Sequence, residues 1–294
     1  MAVEIIAEVG ECFNGNMQTA HQMIKEAKRT GCDTVKFQIL DMSEVATDDP
    51  EYDWFAKITF CAKQLQELIR WAEQEDIQIL FTPVSVRTAE MMVDAGCERV
   101  KIASSFIGKA DLLKYIKDHF DDIIISTGMA SLDQVNDIVK YLGTDKKISI
   151  LHCISEYPTG PLLEQRGLKA LDEEDVHLQM MSILKQLFPS YCIGYSDHTD
   201  GILAPVTAVA MGAEIIEKHI TLDRKTPIEH FNTGMEYMGT DHVLSIEIDD
   251  LEKMVNQIRR VSIFLPFLDT MKKSMLHCLY SLIFFPISTA YHDF

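Results

Sequence analysis

The sequence predicts a (β/α)8 TIM barrel, an α/β fold, and three observations carry that prediction. Short β-branched runs alternate with longer amphipathic ones from the start of the chain, the pattern of parallel strands joined by crossover helices. Eight such units fill most of the 294 residues, and a barrel of this kind needs about 250. Third, no G-x-G-x-x-G follows the first strand, because Gly10 and Gly15 are wrongly spaced; this weakens a doubly wound dinucleotide-binding sheet, the runner-up.

Taken in order, strands are expected at 3–8, 33–38, 78–82, 98–103, 122–126, 147–152, 191–195 and 213–217. Helical spacing falls between them at 17–30, 63–75, 87–95, 109–119, 131–142, 173–188 and 202–212, with a last helix at about 247–262. The second connection carries an acidic insert around Glu44 to Asp53, and the sixth carries Tyr157-Pro158-Thr159-Gly160-Pro161 before its helix. These units assign 1–262 to a catalytic barrel and leave 263–294 as an atypical apolar tail. The amino terminus has Glu4 and Glu8 inside its apolar run and neither a basic region nor a cleavage site, so a strand is expected there and no signal peptide. The apolar run Met275 to Ser288 is broken by His277 and Pro286 and falls short of a membrane span.

A formal net charge of -18 argues against a nucleic-acid surface, which needs a basic stripe to displace counterions. It does not exclude a small anionic substrate, since a few buried lysines make a local positive site whatever the total. The seven cysteines include no C-x-x-C pair, which points to reduced thiols and a cytoplasmic location.

In a barrel, polar residues at strand carboxyl ends gather on the active face. Here those ends present Glu8; Lys36 and Gln38; Thr82 and Ser85; Lys101 and Ser104; Ser126 and Thr127; His152 and Ser155; Ser196, Asp197 and His198; and Glu217, Lys218 and His219. Lys36 and Lys101 lie inside apolar strands, and an unpaired buried ammonium is costly. Two readings follow: the lysines and neighbouring hydroxyls hold a phosphate or carboxylate, or each lysine pairs with a barrel carboxylate such as Glu8 or Glu217. His198 and His219, at adjacent strand ends, suit a divalent metal or proton transfer, against a pair of hydrogen-bonded core histidines. Imidazoles alone do not choose among Mn, Zn and Fe. His152 is a third ligand, a substrate donor or a packed core residue, and Cys153 reads as a small packed residue. Gly128 offers either amides aimed at a phosphate or a plain turn into the helix capped by Ser131.

The ordered set AEVGECFNGN, VKFQ, FTPVS, VKIAS, STGMAS, ILHCISEYPTGP, IGYSDHT, IIEKHITLDR and GTDHVLS resembles the sialic acid synthase family, the phosphoenolpyruvate-dependent nonulosonate synthases, over about residues 3–260. The resemblance implies a barrel that condenses phosphoenolpyruvate with an N-acetylated hexosamine, such as N-acetylmannosamine, to a nine-carbon α-keto sugar acid and phosphate. It implies His198 and His219 as metal ligands for a divalent ion, manganese first and magnesium or another second. It implies Lys36, Thr82, Lys101, Ser104 and Ser196 as phosphoenolpyruvate contacts, with Ser155 grouped among the substrate-binding residues. Gln38, Tyr157 and Asp241 match positions near the amino sugar, and Glu8 matches an acid at the reacting centre. No nucleic-acid or membrane partner is expected, and a homodimer is compatible.

The chain also departs from the family pattern. Phe13 stands where many members have histidine, Ser105-Phe106 follows Ser104 where an acid is common, and about Glu229 to Met238 is extra. The family's carboxy-terminal antifreeze-like domain has no counterpart in 263–294. These departures keep open a barrel that binds phosphoenolpyruvate or a sugar without turnover, and the fold alone also permits a metal-dependent aldolase-like lyase.

Overall fold

The computed structural model describes residues 3–49, 51–156, 171–230, 235–238 and 240–265. Eight parallel strands, β1 (Glu4–Glu8), β2 (Thr34–Ile39), β3 (Gln78–Pro83), β4 (Arg99–Ile102), β5 (Asp122–Ser126), β6 (Lys147–Cys153), β7 (Cys192–Asp197) and β8 (Ile215–Thr221), run in the order β3-β2-β1-β8-β7-β6-β5-β4. The two ends of that path, β3 and β4, lie side by side, so the sheet curves into the expected barrel. Around it stand α1 (Met17–Arg29), α2 (Tyr52–Ile58), α3 (Ala62–Gln74), α4 (Val86–Asp94), α5 (Ala110–His119), α6 (Leu132–Leu142), α7 (Met180–Leu187), α8 (Leu203–Ala210), α9 (Thr240–Leu244) and α10 (Ile248–Phe264). No helix among the described residues is long and apolar enough to cross a membrane.

Strand alternation divides each barrel strand between two apolar regions. Outward residues such as Ile5, Val35, Phe81, Ile123 and Ile150 pack against the helices in the main core. Inward residues Ile6, Leu80, Ile124, Leu151 and Ile215 form a separate cluster that plugs the barrel. Gly194 belongs to that plug: a Cβ there would stand 2.5 Å from the Ile215 carbonyl oxygen and 2.6 Å from Leu151 Cδ2. Above and below the plug, the inward positions are polar.

Where expectation and structure differ, local causes are visible. Strand β8 continues through Lys218 and His219 to Thr221, with all seven residues buried, whereas those charged side chains read as the end of a strand. The helix expected at 173–188 is confined to α7, because His177 adopts φ +44 and separates it from a 3-10 turn at Glu173–Asp175. Helix α2 forms at the end of the acidic insert, and the extra stretch after β8 is an antiparallel hairpin, β9 (Pro227–His230) with β10 (Met235–Met238). A short β11 (Ile246–Glu247) then pairs in parallel with the end of β8. Helix α10 runs to Phe264, slightly past the expected barrel boundary, and most of the tail lies outside the described residues.

Candidate active site

A cavity of about 240 Å³ opens over the polar layer at the strand carboxyl ends. Nine predicted site residues line it: Lys36, Gln38, Thr82, Lys101, Ser104, Ser155, Ser196, His198 and His219. Glu8 lies beneath them, fully buried. Asp241, from the first turn of α9, reaches the site from the side, its Oδ2 3.6 Å from His219 Nδ1. Tyr157 falls outside the described residues.

The floor is a buried quartet of charges. Ladder pairing sets Glu8 of β1 opposite both Lys36 of β2 and His219 of β8, so the two carboxylates and two ammonium groups converge from β1, β2, β4 and β8. Lys36 Nζ contacts Glu8 Oε2 and lies 3.5 Å from Glu217 Oε1, and Lys101 Nζ is 3.2 Å from the same oxygen. The structure shows the pairing, Lys36 with Glu8 and Glu217 and Lys101 with Glu217, and both lysines also line the cavity. An ammonium carries three donors; Lys36 directs its own at Glu8, Glu217 and Thr82, whereas Lys101, bonded to Glu217 alone among the described residues, keeps the capacity to meet a further anion. Burial and the neighbouring Glu217 raise the Glu8 carboxyl, against the pull of Lys36. Glu217, which burial would also raise, is held at about 2 by Lys101 and Lys36, helped by the Ser196 hydroxyl, 3.0 Å away. Burial lowers Lys101, and Lys36 reinforces that, while for Lys36 the two carboxylates outweigh burial and the net direction is up.

Hydroxyls ring the quartet. Thr82 Oγ1 accepts from Lys36 Nζ at 3.3 Å, and Ser104 and Ser155 share a 2.7 Å hydrogen bond. Gly128 makes that pair possible, since a Cβ there would stand 2.2 Å from Ser155 Oγ; Ser131 caps α6 as expected. Ser126 Oγ is buried against the cavity without a hydrogen-bond partner among the described residues.

At the other end, the His198 and His219 rings sit 5.4 Å apart at 69°. Burial lowers His198 to about 4, partly opposed by Asp197, and burial with the neighbouring His198 and Lys36 lowers His219 well below the ordinary imidazole value. Both rings are therefore neutral at neutral pH, the form in which imidazole has a lone pair to give a metal. Among the described residues no three His, Cys, Asp or Glu converge as ligands. These two imidazoles are the nitrogen donors that could hold a divalent ion, and a two-nitrogen set leaves positions for water or substrate.

Asp241 is tied in place by Glu11. Glu11 N donates to Asp241 Oδ2 at 3.0 Å, Asp241 N donates to Glu11 Oε1 at 3.1 Å, and Trp54 Nε1 donates to Glu11 Oε2 at 2.7 Å. Burial, with the Glu11 charge beside it, pushes the Asp241 carboxyl well up. Gly10 (φ +52) lets the chain pass this close, because a Cβ there would fall 2.0 Å from Asp241 Oδ2.

Of the remaining sequence candidates, His152 is a core residue. It lies on the outward face of β6, bonded to the Val176 carbonyl at 2.8 Å and packed on Tyr195. Ser85 caps α4 and donates to Asp41 at 2.6 Å, so it serves the helix and not the cavity. Phe13 joins an aromatic core, stacked on Phe60 at 4.7 Å. Cys153 is packed, yet it also lines the cavity. Glu217 counted in the sequence only as a charge partner, and Ser126 and Ser105 were not singled out as ligands, yet all three line the cavity. Period-two spacing pointed to Glu217, which is two residues before His219 and shares its face. For Met129, 67% exposed at the cavity mouth, no sequence signal existed.

Comparison with known proteins agrees with the barrel fold and with the family resemblance. The NeuB family model matches residues 23–266. An uncharacterized protein of Methanocaldococcus jannaschii is 35% identical over 260 residues, 87% of this chain and 70% of that protein. The N,N'-diacetyllegionaminic acid synthase of Campylobacter jejuni is 32% identical over 276 residues, covering 87% of this chain and 75% of the relative. The crystal structure of N-acetylneuraminic acid synthetase from Leptospira borgpetersenii superposes with a TM-score of 0.77 at 29% identity, covering 94% of this chain and 92% of that one. By family model, sequence and barrel, the chain belongs to the NeuB family.

Proposed function

We propose that this chain condenses phosphoenolpyruvate with an N-acetylated hexosamine, releasing phosphate and forming a nine-carbon α-keto sugar acid, with a divalent metal, manganese first, held by His198 and His219. The observation that carries this reading is one cavity with two lysines and a ring of hydroxyls at one end and two neutral imidazoles at the other. Lys36 and Lys101, with Thr82, Ser104, Ser155 and Ser196, hold the phosphate and carboxylate of phosphoenolpyruvate so that its C3 faces the sugar aldehyde. When bound, the metal supplies Lewis-acid polarisation of that aldehyde. Gln38, which donates to Glu8 at 3.3 Å, and Asp241 orient the sugar. Once C3 has bonded to the aldehyde carbon, water adds to C2 and the C2–O bond to phosphate breaks, with Lys36 and Lys101 stabilising the departing charge. Glu8, raised by burial, is placed to move a proton at that centre. The six described cysteines are unpaired, which supports a reducing, cytoplasmic setting.

The test is phosphate release across a panel of N-acetyl hexosamines and metals. Release is expected only when phosphoenolpyruvate, an amino sugar and a divalent ion are all present, and it should vanish in His198→Ala and His219→Ala. Metal-loaded protein that turns over none of the sugars would overturn the reading. Thermal stabilisation by phosphoenolpyruvate without release would indicate a barrel that only binds.

A further inference from the structure

The face of β7 and β8 turned away from the cavity carries a second charged pair. Asp197 and Lys218 are ladder partners, and both are fully buried between the strands and the helical layer. Lys218 Nζ donates to Asp197 Oδ2 at 2.6 Å and also reaches the Thr199 carbonyl oxygen. Asp197 Oδ1 accepts from the Tyr195 hydroxyl at 2.7 Å, from Thr199 N at 3.1 Å and from Thr199 Oγ1 at 2.9 Å. The chain is thus clamped at 197 and 199, on either side of His198, and the lysine that does part of the clamping is the residue before His219.

A buried ion pair is a poor source of net stability, since apolar residues of similar volume often do as well or better. Its effect here is geometric. Side chains alternate across a strand, so locking 197 to 218 on the outer face fixes the inner positions 198 and 219 relative to each other.

We infer that Asp197 and Lys218, with Tyr195 and Thr199, form a positioning strut that sets the separation and orientation of His198 and His219 for one divalent ion. This rests on the metal role proposed above for those histidines. The strut residues touch neither substrate nor metal; they act through the backbone on the residues that do. Outer residues that orient metal ligands typically change metal affinity about 10–100-fold when removed.

The decisive measurement is binding of Mn2+ alone to the full chain, followed by the electron paramagnetic resonance signal of the free ion, with thermal midpoints recorded in parallel. The charge-free double variant Asp197→Leu/Lys218→Met should keep a thermal midpoint at or near wild type and lose about 10–100-fold in Mn2+ affinity. Asp197→Asn, which keeps the side chain's size, should lose part of that affinity, and Tyr195→Phe less again. These two milder variants carry the test if the double variant does not fold. Wild-type Mn2+ affinity in the folded double variant, or in both Asp197→Asn and Tyr195→Phe, overturns the strut while leaving the metal role intact. Mn2+ binding that survives His198→Ala and His219→Ala overturns the metal role, and the strut with it.

Discussion

The barrel has a charged layer at each end of its apolar plug, and the two are built from the same residue types for opposite uses. At the amino-terminal end, Arg99 forms a two-pronged contact with Glu4, NH2 to Oε2 at 2.7 Å, while Thr34 donates to Glu4 at 2.8 Å and Lys147 meets Asp122 at 2.6 Å. The Arg99 and Glu4 side chains remain 15% and 23% exposed, so solvent shares the cost of their charge. At the carboxyl end, Lys36, Lys101 and Glu217 are no more than 4% exposed and Glu8 is not exposed at all. There a single oxygen, Glu217 Oε1, serves both lysines and Ser196. The lower layer leaves Arg99 Nε and Asp122 Oδ1 without a hydrogen-bond partner among the described residues and borders a cavity of about 340 Å³, so the layers differ in how deeply their charges are buried. The upper layer turns the Lys101 ammonium, the Ser126 hydroxyl and two neutral imidazoles toward a cavity. Charge beside a cavity therefore does not by itself mark a site; the upper layer is set apart by the depth at which its charges are buried and by the two imidazoles among them.

Removing one member from each layer should separate the two uses. The largest effect is expected for Lys101→Met, which leaves Glu217 buried with only the more distant Lys36. Chemical denaturation should show a loss of about 3–5 kcal/mol, and phosphate release should fall by at least about 100-fold, since a stabiliser of developing charge is gone. A Lys101→Met protein with wild-type turnover would break the comparison.

Gly10→Ala probes the rim without touching a charge. Its methyl group would displace Asp241 and strain a left-handed backbone position, costing about 1–2 kcal/mol. Misplacing Asp241 should cost up to about 100-fold in kcat/KM for the amino sugar, with the KM for phosphoenolpyruvate little changed.

In the lower layer, Arg99→Met should cost about 1–3 kcal/mol and leave kcat/KM unchanged for both substrates. The smallest effect is in pH dependence. Burial would raise Glu4, but hydrogen bonding and charge from Arg99 outweigh it, and the net direction is below 4.5. A lowered carboxylate contributes stability that is fully present above its unfolded value and is lost as pH falls through the folded one. Thermal midpoints measured below pH 4.5 should therefore fall more steeply in wild type than in Arg99→Met. Parallel slopes would mean that the pair contributes nothing measurable.

Much of this was legible in the chain. Alternation of β-branched runs with helical spacing located all eight barrel strands, because a parallel strand covered by helices must be apolar while its ends need not be. The strand carboxyl ends so located gathered Glu8, Lys36, Lys101, Ser196 and His219 on the active face. Less legible was the phase at the strand ends. His152 and His219 each follow an apolar run, yet His152 faces the helices and His219 the cavity. The hairpin β9–β10 and helix α2 had no periodic signal long enough to read, and Ser85 could not be told from a site hydroxyl until its bond to Asp41 was seen.

By itself, then, the sequence determined the barrel, the active end and the residue types gathered there, since each follows from local periodicity and from the cost of burying a charge without a purpose. Only the tertiary structure decided who pairs with whom. Lys101 and Glu217 are 116 positions apart and Glu11 and Asp241 are 230 apart. Such partners are set by closure of the barrel, which no local pattern encodes.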